Sequence, residues 1–380
     1  MRIIQITSYY PPHLGGMENV IREISESLVK KGHQVEVFTS NIGYKKEKLK
    51  SIKNLKVYYL KSFVFANTPI MPSLFFYLMK IPRDSILHLH VAPAFIPEVV
   101  YLISRIKKIP YIAHIHLDIK RSGKLGFLLP LYKNIILKRV LKSASKIIVL
   151  SEEYKTLINK KYNIFDNIII IPNGVGKEFF INKKNISPNH TNLLFVGRLS
   201  TQKNIPKLID CVSLIKNKVV LDIVGDGEKK TEIGKLIYNK KLNNVILHGQ
   251  KTGKKLINFY KNADIFIMTS DIEAMPLVLL EAMASNTPIV ASDVLGIHEI
   301  VGESGILVNP PTPDNFAKAI DNLIEDKILM DILSKRGRKK AKNYDWNKIM
   351  ERLEDVYRVL LSENKLFNNK ILSSIEDENK

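Results

Sequence analysis

Short apolar runs alternate with longer amphipathic segments along almost the whole chain. Ile3–Thr7 is strand-like, a helix-spaced segment runs from about Asn19 to Lys31, Gly32-His33 closes it, and Gln34–Thr39 is strand-like again. Strand, helix and strand in that order predict a parallel pair joined by a crossover helix. The rhythm returns at Val57–Leu60, Ser85–His90, Tyr111–His116, Lys146–Ser151 and Asn167–Ile171. It breaks at Ile171-Pro172-Asn173-Gly174-Val175-Gly176 and through the polar stretch Asn182–Asn192. It then restarts with strands at Asn192–Val196, Val219–Val224, Val245–Leu247, Asn262–Ser270, Pro288–Ala291 and Gly305–Val308. Two such cycles around a break predict two doubly wound α/β domains. Asn343–Ser362 reads as one helix with Trp346, Ile349, Leu353, Val356 and Leu360 on a stripe, and the residues beyond it as a polar, frayed tail.

Size and composition agree with this layout. A chain of 380 residues is long for one core and comfortable for two. Cys211 is the single cysteine, so neither a disulfide framework nor a zinc cluster can be built, and it reads as a buried helix residue. The start, Met1 to Thr7, is a strand and not the apolar core of a signal peptide, which predicts a cytoplasmic location. The longest uncharged stretch, Ser62–Met79, contains Asn67, Pro69 and Pro72 and does not read as a spanning helix.

Charge changes the picture more. The net charge is +21, and residues 1–180 hold 28 Lys/Arg against 12 Asp/Glu. Basicity is therefore a property of the first half, where nucleic acid, an anionic membrane, an acidic substrate or a Lys-rich composition could each be the reason. Residues 120–146 interleave bases such as Lys120, Lys133, Lys138 and Arg139 with Phe127, Leu131, Ile135 and Ile136. Such a segment can lie on an anionic bilayer or form a solvated helix face.

Candidate chemistry falls at the carboxyl ends of the strands, where open α/β sheets bind ligands. His90, His116 and Asp118 lie at such ends, and His114 reads as a buried sheet residue. Gly15-Gly16 opens a helix and would let backbone N–H groups approach a phosphate. In the second half, Ser270–Met283 gives a strand end, a short acidic loop and a helix with Pro276 at its first position. The free N–H groups of Leu277 and Val278 then form an anion site. Glu273 and Glu281 lie eight residues apart, which suits a long ligand held at two places. Arg198 and Lys203 follow another strand and can each reach a phosphate. No Asp-x-Asp occurs, so the charge of a leaving diphosphate falls to Arg198, Lys203 and helix N–H groups, with no cofactor or metal required.

Five stretches together resemble the retaining glycosyltransferases of family 4, which have the GT-B fold. They are Pro11 to Glu18, Ile171 to Val175, Gly197-Arg198-Leu199 with Lys203, the Glu273-to-Glu281 pair, and Thr287 to Ser292. They span nearly the whole chain. The resemblance implies two facing Rossmann-like domains: an acceptor-binding domain over 1–180 and a nucleotide-sugar domain over 181–343. A return helix over 344–363 crosses back to the first domain, and 364–380 is a polar tail. It implies that Arg198 and Lys203 bind the donor diphosphate, Glu281 the ribose and Glu273 the transferred sugar. His116 would lie near the donor sugar and acceptor, and Gly16, with Gly15, near the phosphates. Gly225 to Gly227 and Gly249 to Lys251 would flank the base. The family commonly shows Glu-Gly-Phe-Gly where this chain has Glu273-Ala274-Met275-Pro276, which leaves the loop path and sugar preference open. The implied reaction is transfer of a sugar from a nucleotide-sugar to a sugar or lipid-linked acceptor hydroxyl, with retained configuration and no nucleic-acid partner. An epimerase on the same fold and a basic nucleic-acid-binding protein are the alternatives.

Overall fold

A computed structural model describes residues 1–13, 15–44, 52–66, 68–92, 94–117, 127, 129–182 and 189–378, with side chains in the last helix described to Glu363. It divides into two compact units. One comprises Met1–Pro172 with Ile349–Lys380, the other Asn173–Lys348. The division falls inside the Ile171–Gly176 break, where Asn173 Nδ2 donates to the Met275 carbonyl and Gly174 lies against the Trp346 ring.

In the first unit, β1 (Arg2–Ile6), β2 (Gln34–Ser40), β3 (Leu55–Leu60), β6 (Ser85–His90), β7 (Tyr111–His114), β8 (Lys146–Val149) and β9 (Ile168–Ile170) form a seven-stranded sheet. Its order is β3-β2-β1-β6-β7-β8-β9, and every pairing is parallel. A small antiparallel hairpin, β4 (Phe63–Phe65) with β5 (Thr68–Ile70), was not legible in the uncharged stretch around it. The first helix starts at Gly16, three residues before the expected Asn19, with Gly15 as its cap.

In the second unit, β10 (Thr191–Val196), β11 (Val219–Val224), β12 (Val245–Gly249), β13 (Ile265–Met268), β14 (Ile289–Ser292) and β15 (Ile306–Val308) form a parallel sheet in the order β12-β11-β10-β13-β14-β15. Helices cover the faces of such a sheet, so its central strands are buried on both sides and read as continuous apolar runs. All four residues of β13 are buried. Strand order reverses at β1/β6 in one sheet and at β10/β13 in the other. Adjacent loops diverge there and leave a crevice.

The final helix runs from Trp346 to Glu378, well past the end at Ser362 that its stripe predicts. From Ile349 onward it belongs to the first unit. Ile349, Met350, Leu353, Tyr357 and Leu360 are buried. Glu354 fixes its position by meeting Lys31 Nζ at 3.1 Å, His33 Nε2 at 3.0 Å and Arg358 at 2.9 Å. The Arg358 hydrogen bond, followed in effect by those of Lys31 and His33 against the cost of burial, holds the Glu354 carboxyl at about 2.

Candidate functional site

The second sheet places its two candidate loops side by side, one after β10 and one after β13. Backbone and side chains stitch them together. Asp271 N–H donates to the Gln202 carbonyl at 3.0 Å, and Gln202 Nε2 donates to the Ile272 carbonyl at 2.6 Å. Lys207 Nζ reaches Asp271 at 2.8 Å, and the Thr269 hydroxyl donates to the Lys203 and Asn204 carbonyls. Gly296, at φ +79°, lies under the acidic loop. A Cβ there would stand 2.3 Å from the Ala274 carbonyl oxygen. The sequence reading missed this glycine, and its position just after the Thr287–Ser292 stretch was the available signal.

Arg198 and Lys203 look equivalent in the sequence and are not. The Arg198 side chain is 63 % exposed and, among the described residues, forms an ion pair only with the exposed Glu228, Nε to Oε2 at 3.2 Å. Lys203 ends a short helical turn, Thr201–Lys203, and its Nζ lies 2.5 Å from Oε1 of the buried Glu273. The two residues assigned to diphosphate and sugar are thus paired with each other. Ala274 and Met275, which follow Glu273 in the chain, are buried, and Met275 accepts from Asn173 twice, the backbone N–H to Sδ and Nδ2 to the carbonyl.

Pro276 is not the first helical residue. It is extended (φ −70°, ψ 120°) and caps the helix Leu277–Ala284. The ring fixes φ either way, but its extended ψ delays the start of the helix to Leu277, one residue later than expected. Leu277 and Val278 still occupy the first two helical positions, and their N–H groups have no backbone acceptor among the described residues. Glu281, one turn further, accepts a hydrogen bond from the Tyr260 hydroxyl at 2.7 Å. Burial pushes its carboxyl up to about 7, the Tyr260 bond opposes this, and Glu178 adds to it.

Gly225 and Gly227 serve a tight crossing. A Cβ on Gly225 (φ +158°) would stand 1.8 Å from the Gly197 carbonyl oxygen, and one on Gly227 2.4 Å from that of Leu199. The β10 and β11 loops therefore touch backbone to backbone. Gly249, at φ +65°, ends β12, and its carbonyl accepts from Gly225 N–H at 3.0 Å.

In the first unit, the helix end at Gly15-Gly16 already carries an anion. The buried Glu18 carboxylate lies where a Gly15 Cβ would be, 2.2 Å away, and pairs with His13 Nδ1 at 2.8 Å. The space at Gly16 is open. His90 ends β6, and His116 lies two residues beyond β7. Both are buried, together with His88 and His114. His90 Nδ1 meets His116 Nε2 at 2.8 Å, and His88 Nδ1 meets the Tyr357 hydroxyl at 2.6 Å. Burial drives all four imidazoles far down, His88 and His116 to about 3, so all are neutral. His88, His90 and His114 bring nitrogens within 4.8 Å of one another, but ring planes within 33° of parallel do not aim three in-plane lone pairs at one ion. Asp118 lies outside the described residues.

Two family models divide the chain between them. Residues 14–179 match "Glycosyltransferase Family 4" and residues 176–340 match "Glycosyl transferases group 1". The chain belongs to the family 4 glycosyltransferases. An uncharacterised glycosyltransferase of Methanocaldococcus jannaschii is 28% identical over 95% of this chain and 99% of its own. An Escherichia coli enzyme described as a UDP-Gal:alpha-D-GlcNAc-diphosphoundecaprenol alpha-1,3-galactosyltransferase is 30% identical over 57% of this chain and 60% of its own. Among solved structures, HepE of Anabaena in complex with UDP and glucose superposes with a TM-score of 0.76 at 19% identity, over 94% of this chain and 100% of that one. The two parallel-sheet units of this glycosyltransferase are those of the GT-B fold.

Proposed function

We propose that the enzyme moves a sugar from a nucleotide-sugar, of the UDP-sugar class, to an acceptor hydroxyl with retained anomeric configuration and no metal requirement, in glycan or glycolipid assembly. One observation carries the reading. Around the β10/β13 switch point stand an exposed guanidinium, a helix end with open N–H groups, and two carboxylates one turn or more apart along the chain. Cations and N–H groups suit a diphosphate, and carboxylates suit sugar hydroxyls. As the donor bond breaks, negative charge grows on the diphosphate, so Arg198 and Lys203 act where charge develops.

A panel of nucleotide-sugars incubated with the full chain in the presence of a chelator tests this. One donor should hydrolyse slowly without acceptor, and an α-linked donor should release the α-sugar first. Initial release of the β-sugar would remove retention, conversion to an epimeric donor would favour the epimerase, and strict dependence on a divalent ion would remove metal independence.

Glu281 is assigned to the ribose diol, and its raised carboxyl makes this assignment pH-dependent. The ionised form is the better acceptor, so UDP-glucose affinity should rise about tenfold between roughly pH 6 and pH 8. Its unfolded value is the ordinary 4.5, and the folded value is about 7. Holding the carboxylate ionised in the fold therefore costs stability from pH 4.5 upward, and the cost is complete above about 7. Glu281→Gln should gain on the order of 2 kcal/mol at alkaline pH while its donor binding becomes weak and flat with pH. Calorimetric titration and thermal melts at both pH values check the pair of effects. An unchanged affinity profile in the variant would remove the ribose role.

The acceptor side is assigned to a membrane surface. No helix among the described residues is long and apolar enough to cross one. The helix Leu74–Lys80 packs on Ile96–Lys107, which packs on the segment Lys133–Ser143. This layer exposes Phe76, Ile106, Ile135 and Ile136, with the exposed Phe63 and Phe65 of the hairpin in the same unit. The unit carries most of the excess positive charge. Apolar side chains among bases suit anionic headgroups, though Lys133, read from sequence as one of the bases of this amphipathic segment, is buried. The protein should sediment with phosphatidylglycerol vesicles at low salt and be released at high salt. Equal partition onto neutral vesicles, or none onto either, would exclude the surface.

A further inference from the structure

One face of the first sheet carries a buried polar column. Gln5 on β1 aligns with His88 on β6, and His90 aligns with His114 on β7. Alternation puts Gln5, His88, His90, His114 and His116 on the same face. The rings stack along each strand, His88 on His90 at 4.4 Å and His114 on His116 at 4.1 Å. Across the strands they are joined edge to edge by hydrogen bonds.

The direction of one of these chains can be read. Gln5 Oε1 lies 2.5 Å from His90 Nε2. A carbonyl oxygen only accepts, so His90 Nε2 carries the proton. A neutral imidazole has one N–H and one bare nitrogen. His90 Nδ1 is therefore bare and must accept from His116 Nε2, 2.8 Å away. That leaves His116 Nδ1 bare, and it has no hydrogen-bond partner among the described residues. The other end of the amide, Gln5 Nε2, is buried with no hydrogen-bond partner among the described residues.

We propose that Gln5 and His90 are positioning residues that lock His116 as the Nε2–H tautomer, so that His116 offers substrate a bare Nδ1 that accepts from a hydroxyl and cannot donate to a phosphate. This rests on reading His116 as a residue that faces substrate. It sits beyond the end of β7, at the carboxyl edge of the sheet, and keeps 8 % of its surface exposed. The opposite tautomer would present an N–H there and favour phosphate oxygen.

The test is the nitrogen spectrum of the full-length protein labelled with 15N-histidine, read by long-range proton–nitrogen correlation near neutral pH. The His116 signals are assigned by their loss in His116→Asn. The expected native spectrum shows His116 neutral, protonated at Nε2 and bare at Nδ1. Gln5→Leu keeps the side-chain bulk but removes the acceptor, and should convert this single form into a mixture of tautomers. In the same variant, kcat for UDP-glucose hydrolysis should fall about tenfold or more while KM stays within about twofold. A native His116 protonated at Nδ1, or an imidazolium, overturns the lock even if His116→Asn is inactive. Full turnover in His116→Asn with the expected native spectrum overturns the substrate-facing reading, and with it the positioning role.

Discussion

Replacing Arg198 by alanine is expected to lower kcat about 10²–10³-fold and to leave the melting temperature unchanged. The first half follows from where charge appears. A guanidinium that meets the departing diphosphate acts on the transition state more than on the bound donor, so kcat falls and KM moves little. The second half follows from the environment of Arg198. Its side chain is mostly exposed, and its one ion pair among the described residues, with Glu228, is exposed on both sides. Exposed pairs contribute about 0–1 kcal/mol. Steady-state kinetics beside a thermal melt decides the matter. Near-native turnover would remove Arg198 from the donor site, and a large loss of stability would mean that the guanidinium supports the fold.

Lys203→Ala is expected to lose turnover by a similar factor and also to lose about 3 kcal/mol of stability. Its ammonium lies 2.5 Å from Glu273, with both side chains largely buried. Removing one partner of such a pair leaves a charge in a low-dielectric site, and that costs far more than breaking a surface pair. A double variant separates the two roles. Lys203→Ala with Glu273→Gln removes both charges, so much of the stability should return. On the proposed assignment turnover should stay low, because neither the cation assigned to the diphosphate nor the carboxylate assigned to the sugar is restored. Denaturant unfolding of the single and double variants gives the comparison. Equal stability of Lys203→Ala and the native chain would show that the pair contributes little to the fold.

The contrast between these two residues shows how far the chain can be read without coordinates. Gly197-Arg198-Leu199 and Lys203 stood out because charges in a glycine-bearing loop after a strand are placed where α/β sheets bind anions. That reading needs only local periodicity. It holds equally for the acidic loop and for the helix that follows Pro276. The one-residue error at Pro276 arose because proline fits both the cap and the first helical position, and φ alone does not separate them. The Gly15-Gly16 helix end was read as a place where backbone N–H groups approach a phosphate. The anion found there is the chain's own Glu18, three residues into the helix, with His13 as its partner.

Other features lay outside local reading altogether. His90 and His116 were noticed as strand ends, but Gln5 gave no signal, because one amide in an apolar strand looks like any buried polar residue. Tyr357 was missed from the final stripe, although it is buried and its hydroxyl meets His88. The Glu281 carboxylate looked like a plain hydrogen-bond acceptor, and only the burial around it, with Tyr260 at its side, raises it to about 7.

By itself the sequence determined the alternation of strands and helices, the two domains, the loops that hold charge at strand ends, and the family. These depend on side-chain period, on backbone freedom at glycine and proline, and on which residue types sit beside each other in the chain. The tertiary structure decided that Lys203 neutralises Glu273, that Gly296 supports the acidic loop, and that Gln5, His90 and His116 form one directed chain. Those pairings join residues far apart in sequence. They are set by strand order and register, which arise from the packing of whole sheets and leave no trace in any short stretch of residues.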